Sequence, residues 1–178
     1  MLERFFDHKK PVVEGLFADP DLACFDGTYY LYPTTDGFTD WSGTKFSVFA
    51  SKDLRKFQKA ADIFDMADGD VPWAVGSAWA PCIAEKDGKY YYYFCGKRVD
   101  GKSCIGAAVS DYPEGTFVPA AEPMITMEMM ETYQIQMSQT IDPSIYQENG
   151  ETYLLFGNGY AAIAKLTPDM MHIVPETM

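Results

Sequence analysis

The chain has few basic residues and few side chains that bind metals. It contains 14 Lys and Arg against 26 Asp and Glu, which gives a formal net charge of −12. A surface of this charge repels nucleic acids and anionic membranes, so we expect neither as a partner. The two histidines, His8 and His172, do not cluster with each other or with carboxylates in the sequence. We therefore predict no metal site in this chain and no cofactor.

The sequence also lacks cysteine pairs and long apolar segments. The four cysteines form no CxxC motif, and three of them lie in apolar or aromatic segments, where buried reduced thiols are expected. No apolar run approaches the roughly 20 residues of a membrane helix, and the start of the chain, MLERFFDHKK, lacks the apolar stretch of a signal peptide. These features favour a cytoplasmic protein with reduced thiols. The cysteines are Cys24, Cys82, Cys95 and Cys104.

Aromatic residues, in contrast, are abundant. They make up 15% of the 178 residues, with 12 Tyr and 12 Phe, a composition that suits β-strands and surfaces that face sugars. The length allows one sizeable core and is too short for two ordinary domains. We therefore treat residues 1–178 as a single domain.

Three segments of the chain resemble one another, which indicates an internal repeat. The prolines near their starts recur at an interval of about 60 residues, and the glycines of their turns recur at the same interval, which we call the repeat interval. The prolines are Pro20, Pro81 and Pro143, and the glycines are Gly27, Gly88 and Gly150. The segments are DPDLACFDGTYYLY (19–32), APCIAEKDGKYYYYF (80–94) and DPSIYQENGETYLLFG (142–157).

Each repeat has the pattern of an antiparallel sheet. An apolar run precedes Asp-Gly or Asn-Gly and an aromatic run follows, which is a strong hairpin signal. Four strands per repeat of about 60 residues describe the blade of a β-propeller, so the predicted fold class is all-β. A third strand is expected within 46–54, 105–113 and 161–170, and a fourth within 57–64 and 116–120. The predicted blades are roughly residues 12–75, 76–137 and 138–178.

Some features of the sequence are shared with other folds. An immunoglobulin-like sandwich also has many short strands, but it would not produce so regular a repeat, so it ranks second. Helical periodicity is not visible anywhere in the sequence. The Met-rich segment MITMEMMETYQIQM (124–137) is therefore predicted to be a connection between blades that packs on its neighbours, rather than a binding helix. Side chains of the run Tyr90–Tyr93 should alternate across a strand, so half are expected in the core.

The residue before the repeated proline differs between the repeats: it is Asp19, then Ala80, then Asp142. In a propeller the first strand of each blade lines the central channel, so these positions surround one axis. Because one repeat has Ala there, the fold does not require a carboxylate. A turn cap is the alternative for Asp19. We favour a functional role, because carboxylates with an aromatic ring, here Trp79, in one concave mouth are what sugar cleavage needs.

Four further residues are candidates for the site or for turns. Trp41 lies in a polar loop after the first hairpin, where it could border the pocket or cover a blade edge, and both interpretations stay open. Trp73 precedes the second repeat and is expected to be structural. Asp36 is expected to cap a turn. Asn158, between two glycines, is expected to be a turn residue with positive φ.

The ordered set of these segments resembles glycoside hydrolase family 43, five-bladed propellers that include arabinofuranosidases, β-xylosidases and arabinanases. The resemblance implies a glycoside hydrolase that acts on arabinose- or xylose-containing oligo- and polysaccharides by an inverting mechanism. In it, Asp19 matches the general base, Asp142 the residue that tunes the pKa of the general acid, and Trp79 an aromatic of the substrate pocket. The matching segments are ADP with FDGTYYLYPTTD (18–36), WAPCIAEKDGKYYYYF (79–94), IGAAVSDYPEGTF (105–117) and IDPSIYQENGETYLLFGNG (141–159).

The chain departs from the family's pattern in one respect. The family's general acid is a glutamate on the fourth blade, which would lie one repeat beyond Pro143. The only late glutamate, Glu176, has none of the expected surroundings, so we do not assign it as the acid. We therefore expect about three blades of the five-bladed type, with base and modulator but without the acid.

The expected partners follow from the same comparison. A carbohydrate is the expected substrate, and self-association or a second chain would complete the propeller. The complete family fold often holds a channel ion such as calcium, which cannot be assigned to residues of this chain. The alternative function is a non-catalytic carbohydrate-binding propeller fragment or half of a split enzyme.

Overall fold

The computed structural model describes residues 11–178, which form three antiparallel sheets that follow one another along the chain. The first sheet contains β1 (Phe17–Phe25), β2 (Thr28–Thr35), β3 (Lys45–Ser51) and β4 (Gln58–Asp65). The second contains β5 (Gly76–Lys86), β6 (Lys89–Lys97), β7 (Ser103–Ser110), β8 (Val118–Pro119) and β9 (Ile125–Thr126). The third contains β10 (Ser144–Glu148), β11 (Glu151–Phe156), β12 (Ala162–Leu166) and β13 (Ile173–Val174).

Each sheet is a meander in which consecutive strands pair in chain order, and β9 additionally pairs with β7. This is the topology of a propeller blade, so the all-β propeller prediction is confirmed. The third and fourth strands expected after the first hairpin are β3 and β4, and those expected after the second are β7 and β8. A sandwich is excluded, because its sheets combine strands from distant parts of the chain.

The three hairpins turn as the Asp-Gly and Asn-Gly pairs predict. Both residues of each pair have positive φ, between 48° and 78°. These values are those of a type I′ turn, whose twist matches that of the flanking strands. The pairs are Asp26-Gly27, Asp87-Gly88 and Asn149-Gly150.

The second sheet lies between the other two, and its faces contribute to two separate hydrophobic clusters. Tyr92 and Phe94 of β6 pack with residues of the first sheet, whereas Tyr91 and Tyr93 pack with residues of the third sheet. The prediction that half of the Tyr90–Tyr93 run is buried was therefore wrong. Three of the four side chains are buried, because a sheet covered on both sides has no solvent face.

Trp73 has the structural role that the sequence predicted. Its ring stacks on Phe94 with 5.7 Å between centroids and 12° between planes. Space for this stack exists because position 106 is glycine, where an added Cβ would collide with the Trp73 ring and lie 2.8 Å from Phe94 Cζ. Trp73 thus belongs to the core between the first two sheets.

The first and second sheets are joined by a side chain that faces inward from β1. The Oδ2 atom of Asp21 accepts a hydrogen bond of 2.8 Å from the N–H of Ile83. Burial raises the pKa of Asp21, and hydrogen bonds from the N–H groups of Ile83 and Leu22 oppose that rise. Cys82 follows Asp21 by one repeat interval and meets the N–H of Ile145 in the third sheet. Equivalent positions of the first and second sheets therefore face the backbone of the next sheet.

The prediction that segment 124–137 connects two blades without forming a helix was wrong in part. The segment does connect the second and third sheets, but it contains a helix of six residues, α1 (Met127–Thr132). The Thr126 hydroxyl caps α1 by accepting from the N–H of Met129 at 3.3 Å, and Met130 anchors it in the core. One turn and a half is too short for a visible periodicity.

Among residues 11–178, no helix is long and apolar enough to span a membrane. Single turns of 3-10 helix lie at Thr39–Trp41, Met66–Asp68 and Pro175–Thr177.

Candidate active site

The residue before each repeated proline has a left-handed backbone conformation. The φ angles are 44° at Asp19, 27° at Ala80 and 57° at Asp142. The pairing of β1 with β2 shifts register between Ala18 and Asp21, around the first of these positions. A residue in this conformation breaks the regular alternation of the strand, so its side chain is aimed independently of its neighbours.

Ala80 shows that this backbone conformation does not depend on a carboxylate. Asp adopts positive φ more readily than most residues, which by itself would be a structural reason for Asp19 and Asp142. Ala has no such preference, yet the second sheet holds it in the same region with φ of 27°. The surrounding structure therefore imposes the conformation, and the carboxylates of Asp19 and Asp142 are free to serve another purpose.

Side chains of one sheet hold the strained position of the next sheet. The Thr34 hydroxyl accepts a hydrogen bond of 2.7 Å from the N–H of Ala80. Cys95, one repeat interval after Thr34, accepts one of 3.1 Å at its Sγ from the N–H of Asp142. The Thr34 hydroxyl also lies 3.5 Å from Oδ2 of Asp19. The ring of pre-proline residues is thus tied together from blade to blade.

A pocket of about 320 Å³ opens at these positions. It brings together all four residues that the sequence singled out for the site: the two carboxylates before the prolines and two tryptophans. It also contains Thr34 and Asp36, which the sequence did not assign to it. The lining residues are Ala18, Asp19, Thr34, Asp36, Trp41, Trp79, Ile141 and Asp142.

The two pocket tryptophans are held by specific contacts. Nε1 of Trp79 donates a hydrogen bond of 2.6 Å to the backbone carbonyl of Trp41. The ammonium of Lys97 lies 4.6 Å from the centroid of the Trp79 ring, a cation–π distance. Trp41 is 69% exposed and lines the pocket, so of its two interpretations the structure supports the pocket border rather than cover of a blade edge.

The negative charge of Asp19 acts on the carboxyl group of Asp142. The pKa of Asp142 is raised, first by partial burial of its carboxylate and second by the negative charge of Asp19. Both causes disfavour the ionised form of Asp142.

Replacing Asp19 by Asn should lower the pKa of Asp142. The substitution removes the negative charge that opposes ionisation of Asp142 and keeps the shape of the side chain. The pKa can be followed through the side-chain carboxyl resonance in a carbon-detected NMR titration. The matched control is Asp26→Asn at the far end of β1, which should leave the titration of Asp142 unchanged. An unchanged Asp142 pKa in Asp19→Asn would show that the two carboxylates are not coupled.

Three further residues of the sequence analysis are Asp36, Asn158 and His172. The Oδ1 atom of Asp36 accepts a hydrogen bond of 2.7 Å from the N–H of the next residue, Gly37. Asn158 lies in a bend, as the turn prediction expected, but the positive φ is adopted by its neighbours, with 128° at Gly157 and 79° at Gly159. The ring of His172 lies 3.0 Å from Asp169 in an exposed pair.

Metal binding has no candidate in the part of the chain that the structure describes. Within residues 11–178, no three His, Cys, Asp or Glu side chains are grouped closely enough to hold an ion. His8 lies outside the described residues.

The internal repeat could have identified two pocket residues that the sequence analysis did not assign to the site. Thr34 and Asp36 follow the first hairpin by the same offsets as Cys95 and Lys97 follow the second. The strand residues that face the next blade therefore recur with the repeat. The paired residues, Thr34 with Cys95 and Asp36 with Lys97, are of different types. A comparison by residue identity alone therefore does not reveal that they occupy equivalent positions.

The amino-acid sequence matches the family model "Glycosyl hydrolases family 43" over residues 8–178. It is 34% identical over 162 residues to xylosidase/arabinosidase 43A of Humicola insolens, covering 83% of this chain and 45% of that protein. It is 35% identical over 155 residues to a beta-xylosidase of Xylanibacter ruminicola, covering 79% of this chain and 44% of the relative. The chain thus spans about half the length of the curated relatives it matches.

Solved structures of glycosyl hydrolase family 43 enzymes also resemble this chain. A GH43_1 enzyme from Xanthomonas citri, complexed with xylotriose, superposes with a TM-score of 0.78 at 27% identity. The superposition covers 93% of this chain and 56% of that enzyme. An alpha-L-arabinofuranosidase from Clostridium thermocellum superposes with a TM-score of 0.73 at 26% identity, covering 90% of this chain and 55% of the other. The chain belongs to glycosyl hydrolase family 43, of whose propeller it forms three consecutive blades.

Proposed function

We propose that this chain supplies the general base and much of the sugar pocket of a glycoside hydrolase that cleaves xylose- or arabinose-containing saccharides with inversion. The observation that carries the proposal is the single pocket that contains Asp19, Asp142, Trp41 and Trp79. Carboxylates with aromatic rings in one concave site match the chemistry of glycoside cleavage. The names of the xylosidase and arabinosidase relatives support a pentoside as substrate.

The roles of the residues follow from the reaction. In an inverting cleavage, a carboxylate takes a proton from water while the water oxygen bonds to the anomeric carbon. The bond from that carbon to the leaving oxygen breaks, and an acid donates a proton to the leaving oxygen. We assign the first role to Asp19, and to Asp142 we assign control of the protonation of the acid. Trp79, already fixed through Trp41 and Lys97, provides an apolar face for the sugar ring.

The acid itself is proposed to come from a further blade, which lies outside the 178 residues of this sequence. The outer face of the third sheet supports this arrangement. There the neighbouring side chains Leu155 and Ile163 are 37% and 43% exposed, and Tyr146 is 47% exposed. The first sheet has an outward Leu22 that is 50% exposed. Apolar side chains grouped on a sheet face usually mark a surface that another element covers.

A non-catalytic carbohydrate-binding fragment is the competing function. Both functions use the pocket for sugar, but only the enzyme uses Asp19 to activate water. A substrate with a very good leaving group separates them, because its departure needs little help from an acid.

The test is hydrolysis of dinitrophenyl β-D-xyloside and dinitrophenyl α-L-arabinofuranoside by the purified chain. We expect slow release of dinitrophenolate from at least one of them, and little cleavage of xylobiose, whose leaving group needs protonation. Binding of xylotriose, measured by calorimetry, is expected in either case. Sugar binding without any release would favour the binding fragment, and absence of both would contradict a pentoside site.

A further inference from the structure

Thr34 is a buried polar residue in the wall of the candidate active site. Its side chain is only 5% exposed, and it lines the pocket together with Asp19. In β2 it pairs with Ala18 of β1, the residue before Asp19, and on the other side it pairs with Phe46 of β3. A side chain on a strand that is paired on both sides is held more precisely than one on a loop.

The hydroxyl of Thr34 makes two contacts that differ in kind. Its oxygen accepts the hydrogen bond of 2.7 Å from the N–H of Ala80. A hydroxyl that accepts still has its own hydrogen to donate, and buried polar groups are expected to use their hydrogen-bonding capacity. The acceptor that this hydrogen meets among residues 11–178 is Oδ2 of Asp19, at 3.5 Å. Catalytic hydrogen bonds are often this long before substrate binds, and they shorten in the complex.

The carboxylate of Asp19 needs such a contact to point in one direction. Asp19 is exposed, and its side chain leaves a backbone with φ of 44°. An exposed side chain populates several rotamers, whereas a general base must direct one oxygen at the water whose proton it takes. If the Thr34 hydroxyl holds Oδ2, Oδ1 is left free to accept from that water.

The internal repeat supports a specific link between this hydroxyl and the carboxylate. The equivalent residue of the second sheet is Cys95, whose Sγ accepts from the N–H of Asp142 as the Thr34 oxygen does from Ala80. A thiol is only a weak donor. The residue before the proline in that second sheet is Ala80, which has no carboxylate to orient. The strong donor therefore occurs in the sheet whose pre-proline residue is a carboxylate.

We propose that Thr34 is a positioning residue, whose hydroxyl orients the carboxylate of Asp19 so that one oxygen faces the attacking water. This proposal rests on the function proposed above. Thr34 exchanges no proton with the substrate, and its effect on the reaction is transmitted through Asp19.

Three substitutions of Thr34 separate the two contacts of its hydroxyl. Thr34→Ser keeps both the acceptor and the donor. Thr34→Cys keeps an acceptor for the N–H of Ala80, as Cys95 shows for Asp142, but has only a weak donor. Thr34→Val keeps the shape of the side chain and has neither. Thr152→Val is the matched control, since Thr152 is 7% exposed and lies in β11 beside the hairpin turn.

The first measurement is the rate of dinitrophenolate release from the dinitrophenyl pentosides by the purified chain. In Thr34→Cys and Thr34→Val we expect kcat to fall about 10- to 100-fold with KM unchanged, because a misdirected base slows the chemical step without weakening sugar binding. Thr34→Ser should restore a rate close to that of the wild type, and Thr152→Val should keep it. Thermal unfolding of each variant reports any loss of fold separately.

A second measurement follows Asp19 itself and needs no turnover. The side-chain carboxyl resonance of Asp19 in carbon-detected NMR should shift in Thr34→Cys and Thr34→Val, and it should stay at the wild-type position in Thr152→Val. An unchanged Asp19 resonance in both Thr34 variants would overturn the contact.

The outcomes distinguish this proposal from the proposed function. If the wild type releases dinitrophenolate and Thr34→Cys does so at the same rate, the positioning role of Thr34 is overturned and Asp19 remains the base. A wild-type chain that releases none would contradict the proposed function, and the Asp19 resonance would then decide on the Thr34 contact alone.

Discussion

Replacing Asp19 by Asn should lower hydrolysis of a dinitrophenyl pentoside by about 10²–10⁴-fold, the contribution typical of general base catalysis. Asn keeps the size of the side chain and tolerates the positive φ of 44° at this position, so the pocket should be retained. What is lost is the ability to take a proton from water. Initial rates of dinitrophenolate release give the result directly, with xylotriose binding measured alongside.

The matched control for this prediction is Asp26→Asn. Asp26 is also exposed, belongs to the same hairpin and has a similar φ of 48°, but it lies in the turn at the opposite end of β1. This variant should hydrolyse the pentoside at the wild-type rate. If Asp19→Asn kept the wild-type rate as well, the base would have to be another group and the assignment of Asp19 would fall.

Replacing Phe94 by Ala should lower the free energy of unfolding by about 3–5 kcal/mol, as is typical of truncating a buried Phe. Phe94 is fully buried in β6. Its ring stacks on Trp73 and meets Phe46 and Phe64 at centroid distances of 5.8 Å and 5.2 Å. Removing it leaves a cavity at the centre of the interface between the first and second sheets. Urea denaturation followed by tryptophan fluorescence reports the loss.

Phe38→Ala provides the comparison for Phe94. Phe38 is 52% exposed in the loop after β2, so its truncation should change the free energy of unfolding by no more than about 0.5 kcal/mol. A similar small effect for Phe94→Ala would mean that the first two sheets are not held together by this aromatic cluster.

Local turn chemistry allowed much of the fold to be predicted from the sequence. Each Asp-Gly or Asn-Gly pair requires positive φ at both residues, and few other structures use such a pair between apolar and aromatic runs. Once three hairpins are placed, their spacing defines the blades. The repeat also identified the position before each proline. Because Ala80 occupies this position in one repeat, the backbone there does not require a carboxylate, and Asp19 and Asp142 could be predicted to have a functional role.

Contacts between blades were the part that the sequence could not provide. That Thr34 binds the N–H of Ala80, and Cys95 that of Asp142, depends on the angle at which one sheet packs on the next. A hydroxyl and a thiol do not reveal a shared role when they are read as residue types. The burial of three rather than two side chains of the run Tyr90–Tyr93 was missed for the same reason, since a middle sheet covered on both faces has no alternation of buried and exposed side chains.

The stereochemistry of the first product tests the central claim most directly. Proton NMR during early hydrolysis of dinitrophenyl β-D-xyloside identifies the anomer that appears before mutarotation. A pocket in which Asp19 activates water for direct displacement predicts α-D-xylose as the first product, and Asp19→Asn should abolish its appearance. β-D-Xylose as the first product would require a covalent intermediate, and it would contradict the role proposed for Asp19.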